Sequence, residues 1–220
     1  MARKSKNKSR NPYIVVFWEG ESEEQYFKFL KDRFHEAANI NVHNKKGLFV
    51  TANKAFASKG IYADDTLDVD EIWFVFDTEV EMRSQWKANW DIVKNLRKKC
   101  KNAVVKLYMT KGCIEYYFLL HYEKIQPLIV TVRDKENILK RLSSKDCCAG
   151  YKKGDKDTTW RIAERYEMAI ENGLWCLTRI SDELKGTMTE EEITKKLYFT
   201  DSTFTNTHQA VQHLLDLKKR

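Results

Sequence analysis

Residues 13–24 read Tyr-Ile-Val-Val-Phe-Trp-Glu-Gly-Glu-Ser-Glu-Glu, an apolar run that breaks abruptly into carboxylates around one glycine. The run at residues 14–18 is β-branched and aromatic, without polar alternation. This pattern indicates a strand buried on both faces, inside a parallel sheet that is covered by helices. Glu19 then lies at the carboxyl end of the strand, where open α/β sheets bind their ligands.

The segment after this strand predicts a turn and a helix. Gly20 permits a sharp turn, and Ser22 is placed to cap the helix with Gln25 as its capping-box partner. The helix is expected from about Glu23 to Glu36, because its apolar residues recur at i, i+4 and i+8. The carboxylate at the strand end would therefore be held between two regular elements.

Two further apolar runs predict neighbouring strands of the same sheet. Residues 72–76 are followed by Asp77 and Glu79, and residues 104–108 precede a turn at 110–112. The alternation of strands with helices argues for an α/β fold, a doubly wound and mainly parallel sheet flanked by helices. Other expected elements are an edge strand at 39–43 and helices at about 48–57, 84–100, 113–122, 134–145, 159–172, 189–197 and 206–218.

The chain divides into three parts on this pattern. Residues 1–11 are polar, basic and without periodicity, and we expect a disordered tail. Residues 12–125 form the α/β core, and residues 126–220 form a mostly helical C-terminal extension packed on that core. Residues 128–132 are either an extra strand or the start of the helical part, and the sequence leaves both alternatives open.

The positive charge of the chain belongs to its two ends. The net charge is +7, and the first ten residues hold five Lys or Arg and no acid, while the last three residues are all basic. The part between them is slightly acidic. Basic ends can engage nucleic acid electrostatically, or they can be solvated ends without a partner.

The composition of the chain indicates its cellular compartment. The five cysteines are odd in number and show no Cys-x-x-Cys spacing, which favours reduced thiols in the cytosol. No apolar run approaches the roughly 20 residues of a membrane span, and the basic N-terminus lacks the apolar segment of a signal peptide. We therefore expect a cytoplasmic protein that does not bind membranes.

The acidic strand ends suggest a metal site. The carboxyl ends of parallel strands meet at one edge of the sheet, so Glu19 is expected near Asp77 and Glu79, whose i, i+2 spacing directs both side chains to one side. Oxygen ligands without His or Cys select Mg²⁺ or Mn²⁺. Glu19 is either a ligand or the proton-transfer group. The alternative is that these acids only cap helices or lie in loops.

These residues also carry a family resemblance. The element Glu19-Gly20-x-x-Glu23, followed about sixty residues later by an apolar strand ending in Asp77-x-Glu79, resembles the Toprim domain of topoisomerases, primases and related nucleases. The usual Toprim pattern is Asp-x-Asp, so the glutamate at the second position is a departure.

Within that fold, nearly the whole chain resembles the RloB family. Residues 113–122 read Cys-Ile-Glu-Tyr-Tyr-Phe-Leu-Leu-His-Tyr and are similar to the family's Cys-Phe-Glu-Leu-Trp-Leu-Leu-Leu-His-Phe signature. A Tyr-x-Lys element matches residues 151–153, and a closing Asn-Thr-x-x-x-Val helix matches residues 206–211. The family's Ser-Asn-Pro is replaced by Thr-Lys-Gly at residues 110–112.

The resemblance implies a Toprim-like nuclease of bacterial antiphage defence that uses Mg²⁺ or Mn²⁺, encoded beside an ATPase of the ABC or AAA type. RNA, including transfer RNA, is at least as good a substrate candidate as DNA, because the folded part lacks a strong positive charge. The alternative is a non-catalytic interaction module regulated by the ATPase. A primase-like polymerase would need further basic and metal elements.

The implied site comprises eight residues. Metal ligands are Glu19, Asp77 and Glu79; supporting acids are Glu23 and Glu115; phosphate-binding residues are Lys111, Lys152 and Lys153. Glu115 alternatively only complements the dipole of its helix, and the lysines at 152 and 153 alternatively lie in a solvated loop. His121 is flanked by apolar residues, which favours a buried structural histidine over a catalytic one.

Overall fold

A four-stranded, all-parallel sheet forms the centre of the protein. The computed structural model describes residues 11–180 and 188–220, so the predicted tail lies outside the described residues apart from Asn11. The strands are β1 (Tyr13–Trp18), β2 (Asn39–Val42), β3 (Glu71–Thr78) and β4 (Val104–Lys111), in the order β2-β1-β3-β4. The predicted α/β class and the parallel sheet flanked by helices are confirmed.

Helices cover both faces of this sheet. They are α1 (Glu21–Arg33), α2 (Phe49–Ala55), α3 (Trp86–Lys99), α4 (Ile114–Leu119), α5 (Val132–Ser143), α6 (Lys156–Ala163), α7 (Tyr166–Ile180), α8 (Glu190–Phe199) and α9 (His208–Lys218). Short 3₁₀ helices span Asp64–Leu67 and Val80–Gln85. Along the described part of the chain, no helix is both long and apolar enough to cross a membrane.

The central strands β1 and β3 are apolar over residues 14–18 and 72–76 because both faces of the sheet are buried there. In β1, Val16 packs with α1 and α4 on one face, while Val15 and Phe17 pack with α2 and α3 on the other. The register pairs Trp18 of β1 with Val75 of β3. The residues that follow these positions therefore leave the sheet together at its carboxyl edge.

The C-terminal region is helical, as predicted, and it closes the outer edge of β4. Thr205 forms an antiparallel bridge with Thr110 of β4. The side chain of Asn206 accepts from the backbone N–H of Met109 and donates to the carbonyl of Leu107 at 2.9 Å. These bonds use backbone groups that an open sheet edge would leave exposed.

The structure decides one open alternative and corrects two local predictions. Residues 128–131 have no strand partner among the described residues, and α5 begins at Val132 behind a Thr131 cap, so this segment leads into the helical part. The helix predicted at 159–172 is two helices, α6 and α7. The expected cap of α1 by Ser22 is absent, because the helix starts at Glu21 and the serine side chain turns toward the end of the sheet.

Candidate functional site

Glu19 continues β1 by one residue at the carboxyl edge of the sheet. Its backbone N–H donates to the carbonyl of Val75 at 3.1 Å. Its carboxylate Oε2 accepts from the backbone N–H of Asp77 at 3.0 Å, so a side chain replaces the next bond of the strand ladder. Burial raises the pKa of Glu19, and the nearby charge of Glu79 adds to the rise.

Asp77 lies near the end of β3. Among the described residues, none donates a hydrogen bond to its buried Oδ1. Burial raises the pKa of Asp77 well above its ordinary value, and the charges of Glu23, Glu115 and Glu19 raise it further. A buried acceptor without a donor is costly, which makes Asp77 the centre of the candidate site.

Glu23 lies in the first turn of α1 and is only 3% exposed. Its side chain folds back over Gly20, where an added Cβ would lie 2.7 Å from Oε2. Gly20 has ordinary extended angles, φ −127° and ψ 159°, so it is needed for space and not for a sharp turn. Burial raises the pKa of Glu23 to about 8, with further contributions from the charges of Glu115 and Glu19.

Glu115 joins the cluster from the first turn of α4, with 1% of its surface exposed. The Tyr151 hydroxyl donates to its Oε1 at 3.2 Å, and the Lys153 ammonium lies 3.5 Å from Oε2. Ser22 completes this contact, because its hydroxyl lies 2.9 Å from that of Tyr151 and accepts from the backbone N–H of Gly154 at 3.1 Å. The loop before α6 is thereby fastened to the acidic site.

The remaining predicted site residues lie around this cluster. Glu79 follows β3 and pairs with Lys135 of α5. Lys111 is buried, with its ammonium 4.0 Å from Asp201, and both residues line a cavity of about 180 Å³. Lys152 is exposed to solvent.

The structure therefore brings together the predicted residues Glu19, Glu23, Asp77, Glu115 and Lys153. Sequence reasoning missed two positioning side chains, Ser22 and Tyr151, and one cation, Lys135. Ser22 was misassigned as a helix cap, and the only signal for Tyr151 was its place in the family's Tyr-x-Lys element.

His121 is structural, as the sequence favours. Its Nδ1 lies 3.0 Å from the carbonyl of Tyr117, and its Nε2 lies 3.1 Å from the hydroxyl of Tyr26. Burial lowers the pKa of His121 to about 3, so the ring is neutral. Both ring nitrogens are engaged inside the core, and neither is directed to the acidic cluster.

A hard cation suits the chemistry of the cluster. Its donors are carboxylate oxygens alone, one of them unpartnered, and the carboxyls raise the pKa of Asp77 and of Glu23. Such a set favours Mg²⁺ or Mn²⁺. Within residues 11–180 and 188–220, however, no three or more His, Cys, Asp or Glu side chains are already grouped as a metal site.

Comparison with known proteins gives one match. The family model described as RloB-like protein matches residues 14–214, nearly the full length of the chain. Neither the curated proteins nor the solved structures contain a significant match. The matched span includes every carboxylate of the cluster as well as Lys135, Tyr151 and Lys153.

Proposed function

Because the chain belongs to the RloB-like protein family, we propose that it is a Toprim-type nuclease that cleaves phosphodiester bonds in RNA or DNA with Mg²⁺ or Mn²⁺. One observation carries the proposal. Asp77 holds a buried oxygen without a donor, next to the charges of Glu19, Glu23 and Glu115. Converging carboxylates are stable only with a proton or a cation among them, and a cation gives the site a chemical use.

The chain's own residues divide the work. Glu19 and Asp77 would hold the cation, and Glu79 would serve as a third ligand once released from its pair with Lys135. A bound divalent cation supplies charge neutralisation for a phosphate and an activated water for its hydrolysis. Glu19 is alternatively the proton-transfer group.

The supporting residues lie behind and beside these ligands. Glu23 and Glu115 keep the region acidic, and the Tyr151 hydroxyl fixes the orientation of Glu115. Lys152 and Lys153 would contact phosphates of the substrate as point charges on flexible stems, and the buried Lys111 would act on them through its charge. The lysines thereby attract the polyanion to a site that its own carboxylates would otherwise repel.

The biological setting follows from the family resemblance. We propose that cleavage serves defence of a bacterium against phage and is controlled by an ABC- or AAA-type ATPase encoded beside this chain. Co-expression of the two tagged proteins, followed by affinity purification, tests the pairing. Recovery of this chain alone, at a level equal to that without the ATPase gene, would contradict it.

A non-catalytic interaction module is the second candidate. Lys135 and Lys153 already form ion pairs with Glu79 and Glu115, so part of the negative charge is compensated without metal. In this function the ATPase would recognise the fold, and the carboxyl cluster would be structural. Calorimetry that detects no Mn²⁺ binding, together with a stable complex with the ATPase, would favour this candidate.

The discriminating experiment is a cleavage assay on RNA and DNA panels with and without Mg²⁺. Asp77→Asn keeps the shape of the side chain and removes its charge, and we expect it to lower the rate by at least about tenfold to a hundredfold, as loss of groups that support a metal does. Asp64→Asn, an exposed residue in the 3₁₀ helix Asp64–Leu67, is the matched control. Equal rates for the two variants would remove the metal assignment.

A further inference from the structure

Four exposed lysines lie close to the loop that follows β2. Lys45 and Lys46 belong to the loop itself, Lys54 lies on α2, and Lys59 follows that helix. We call these four residues the β2 basic surface. Lys45, Lys54 and Lys59 line one cavity of about 350 Å³.

The charge of these four lysines is not compensated by ion pairs. Within the described residues, no carboxylate oxygen lies within 4.0 Å of any of the four ammonium groups. By contrast, Lys106 pairs with Glu71 at 2.8 Å and Lys153 pairs with Glu115 at 3.5 Å. The acids at Asp65 and Asp70 do not reach the surface, because they bind Tyr13 at the start of β1, the opposite edge of the sheet.

The backbone of the loop is fixed to the same sheet edge as the carboxyl cluster. The N–H of His43 donates to Val16 at 2.9 Å, and the N–H of Gly47 donates to Trp18 at 3.1 Å. The Trp18 indole donates in turn to the carbonyl of His43 at 2.7 Å. Three bonds thus tie the loop to the last residues of β1, directly before Glu19.

The basic surface also lies next to the acidic site. Lys46 directly precedes Gly47, whose N–H donates to the carbonyl of Trp18, the residue before Glu19. The surface therefore begins next to the carboxyl cluster and extends away from it along the side of β2. A polyanion bound across both would pass from a row of lysines into the reaction site.

The wall of the cavity is not purely charged. Ile61 lines the cavity beside the lysines and is 65% exposed. His43 also lines the cavity but is buried, and burial lowers the pKa of the His43 ring. A surface that combines several ammonium groups with an apolar contact fits a strand that offers both phosphates and bases. A fully hydrated small anion would leave the apolar part unused.

We propose that the β2 basic surface binds the sugar-phosphate backbone of the substrate strand on one side of the cleavage site. The inference rests on the proposed nuclease function. It implies that the substrate strand runs from the β2 basic surface to the carboxyl cluster along the edge of the sheet. RNA and DNA share the phosphodiester chemistry that the lysines recognise. Contacts with phosphates position a strand without reading its sequence.

Binding can be measured separately from cleavage. The full-length chain carrying Asp77→Asn is titrated in EDTA into fluorescent single-stranded RNA, single-stranded DNA of the same sequence, and a duplex, with anisotropy as the readout at several salt concentrations. The test pair is Lys54→Gln with Lys59→Gln. The control pair is Lys31→Gln with Lys218→Gln, exposed residues in the last turns of α1 and α9, which pack on the other face of the sheet.

Each phosphate contact on a single strand contributes roughly 0.7 to the slope of log K against log salt. The test pair is therefore expected to lower that slope by about 1.4 and to weaken binding about twenty-fold at 0.1 M salt. The control pair has the same net charge and is expected to change affinity less than about twofold. The RNA and DNA arms identify the preferred strand.

The possible outcomes distinguish a failure of the proposed binding surface from a failure of the proposed nuclease function. Equal losses of affinity for the two pairs would show that only net charge matters, and they would overturn the proposal. Unchanged binding by the test pair would overturn it as well. So would absence of nucleic-acid binding by the chain that has all its lysines. A weakened test pair in a chain whose cleavage survives Asp77→Asn would support the surface and refute the proposed catalytic site.

Discussion

Glu23→Gln should stabilise the metal-free protein, and the gain should increase with pH. Burial and neighbouring carboxylates raise the pKa of Glu23 from 4.5 to about 8. A carboxyl with a raised pKa costs nothing below its unfolded value and destabilises the fold progressively as pH rises toward its folded value. At about 1.4 kcal/mol per pH unit, the cost is about 1 kcal/mol at pH 5 and about 3 kcal/mol at pH 7.

The assay is urea unfolding in EDTA at both pH values. Glutamine has nearly the same shape but no charge, so its advantage over Glu23 should increase by about 2 kcal/mol between pH 5 and pH 7. In a chain of this size that corresponds to roughly 4–8 °C in Tm. The burial of an amide in place of a carboxylic acid affects both pH values equally and does not alter the difference.

A neighbouring acid supplies the control. Glu24 lies in the same helical turn and pairs with Lys28 at 2.8 Å, and 16% of its side chain is exposed against 3% of Glu23. Glu24→Gln should change stability by no more than about 0.5 kcal/mol at either pH, since such i, i+4 pairs contribute little. If Glu23→Gln gave the same gain at pH 5 and pH 7, the reasoning from burial and carboxyl repulsion would be refuted.

Three further outcomes are expected. Glu71→Gln should lower the free energy of unfolding in urea by about 3 kcal/mol at pH 7 and by less toward pH 3. His213, Lys106 and Trp73 hold the pKa of the Glu71 carboxyl at about 2, so its contribution to stability is lost as pH falls from 4.5 to 2. Gly112→Ala should lower Tm measurably, because φ is +94° and a Cβ would lie 2.5 Å from Ile129; an unchanged Tm would contradict this. Lys135→Gln should raise Mn²⁺ affinity in calorimetry up to about fivefold by releasing Glu79, and weaker binding would show that the lysine supports the site.

The central sheet was predictable because its signal is local. The apolar runs at 14–18 and 72–76 each contain enough β-branched and aromatic residues to specify a strand buried on both faces, and residues 104–108 specify a strand despite Lys106 and the exposed Val104. The edge strand at 39–42 was predicted from its alternation of polar and apolar residues. It lies at the outer edge of the sheet, where one side of the strand faces solvent. Helix limits were less accurate, because the residues that end a helix depend on contacts outside it.

The role of individual polar residues was harder to predict. Ser22 has the side chain of a good helix cap, yet its hydroxyl contacts Tyr151, a residue 129 positions away. Glu79 has the spacing of a metal ligand, yet in the fold it meets Lys135. Local propensity ranks such side chains correctly for an isolated helix or strand, and the contacts of the folded chain then override it.

The sequence by itself determined that Glu19 and Asp77 leave parallel strands at one edge of a sheet, because each acid directly follows an apolar run and the carboxyl ends of parallel strands share one edge. Only the tertiary structure decided that Glu23 and Glu115 join them in the interior and that Lys135 and Lys153 neutralise part of the charge. The physical reason is the range over which the interactions act. The charges of carboxyls and ammonium groups act on one another across space, so their pairing depends on how the C-terminal helices pack on the sheet, which no local pattern encodes.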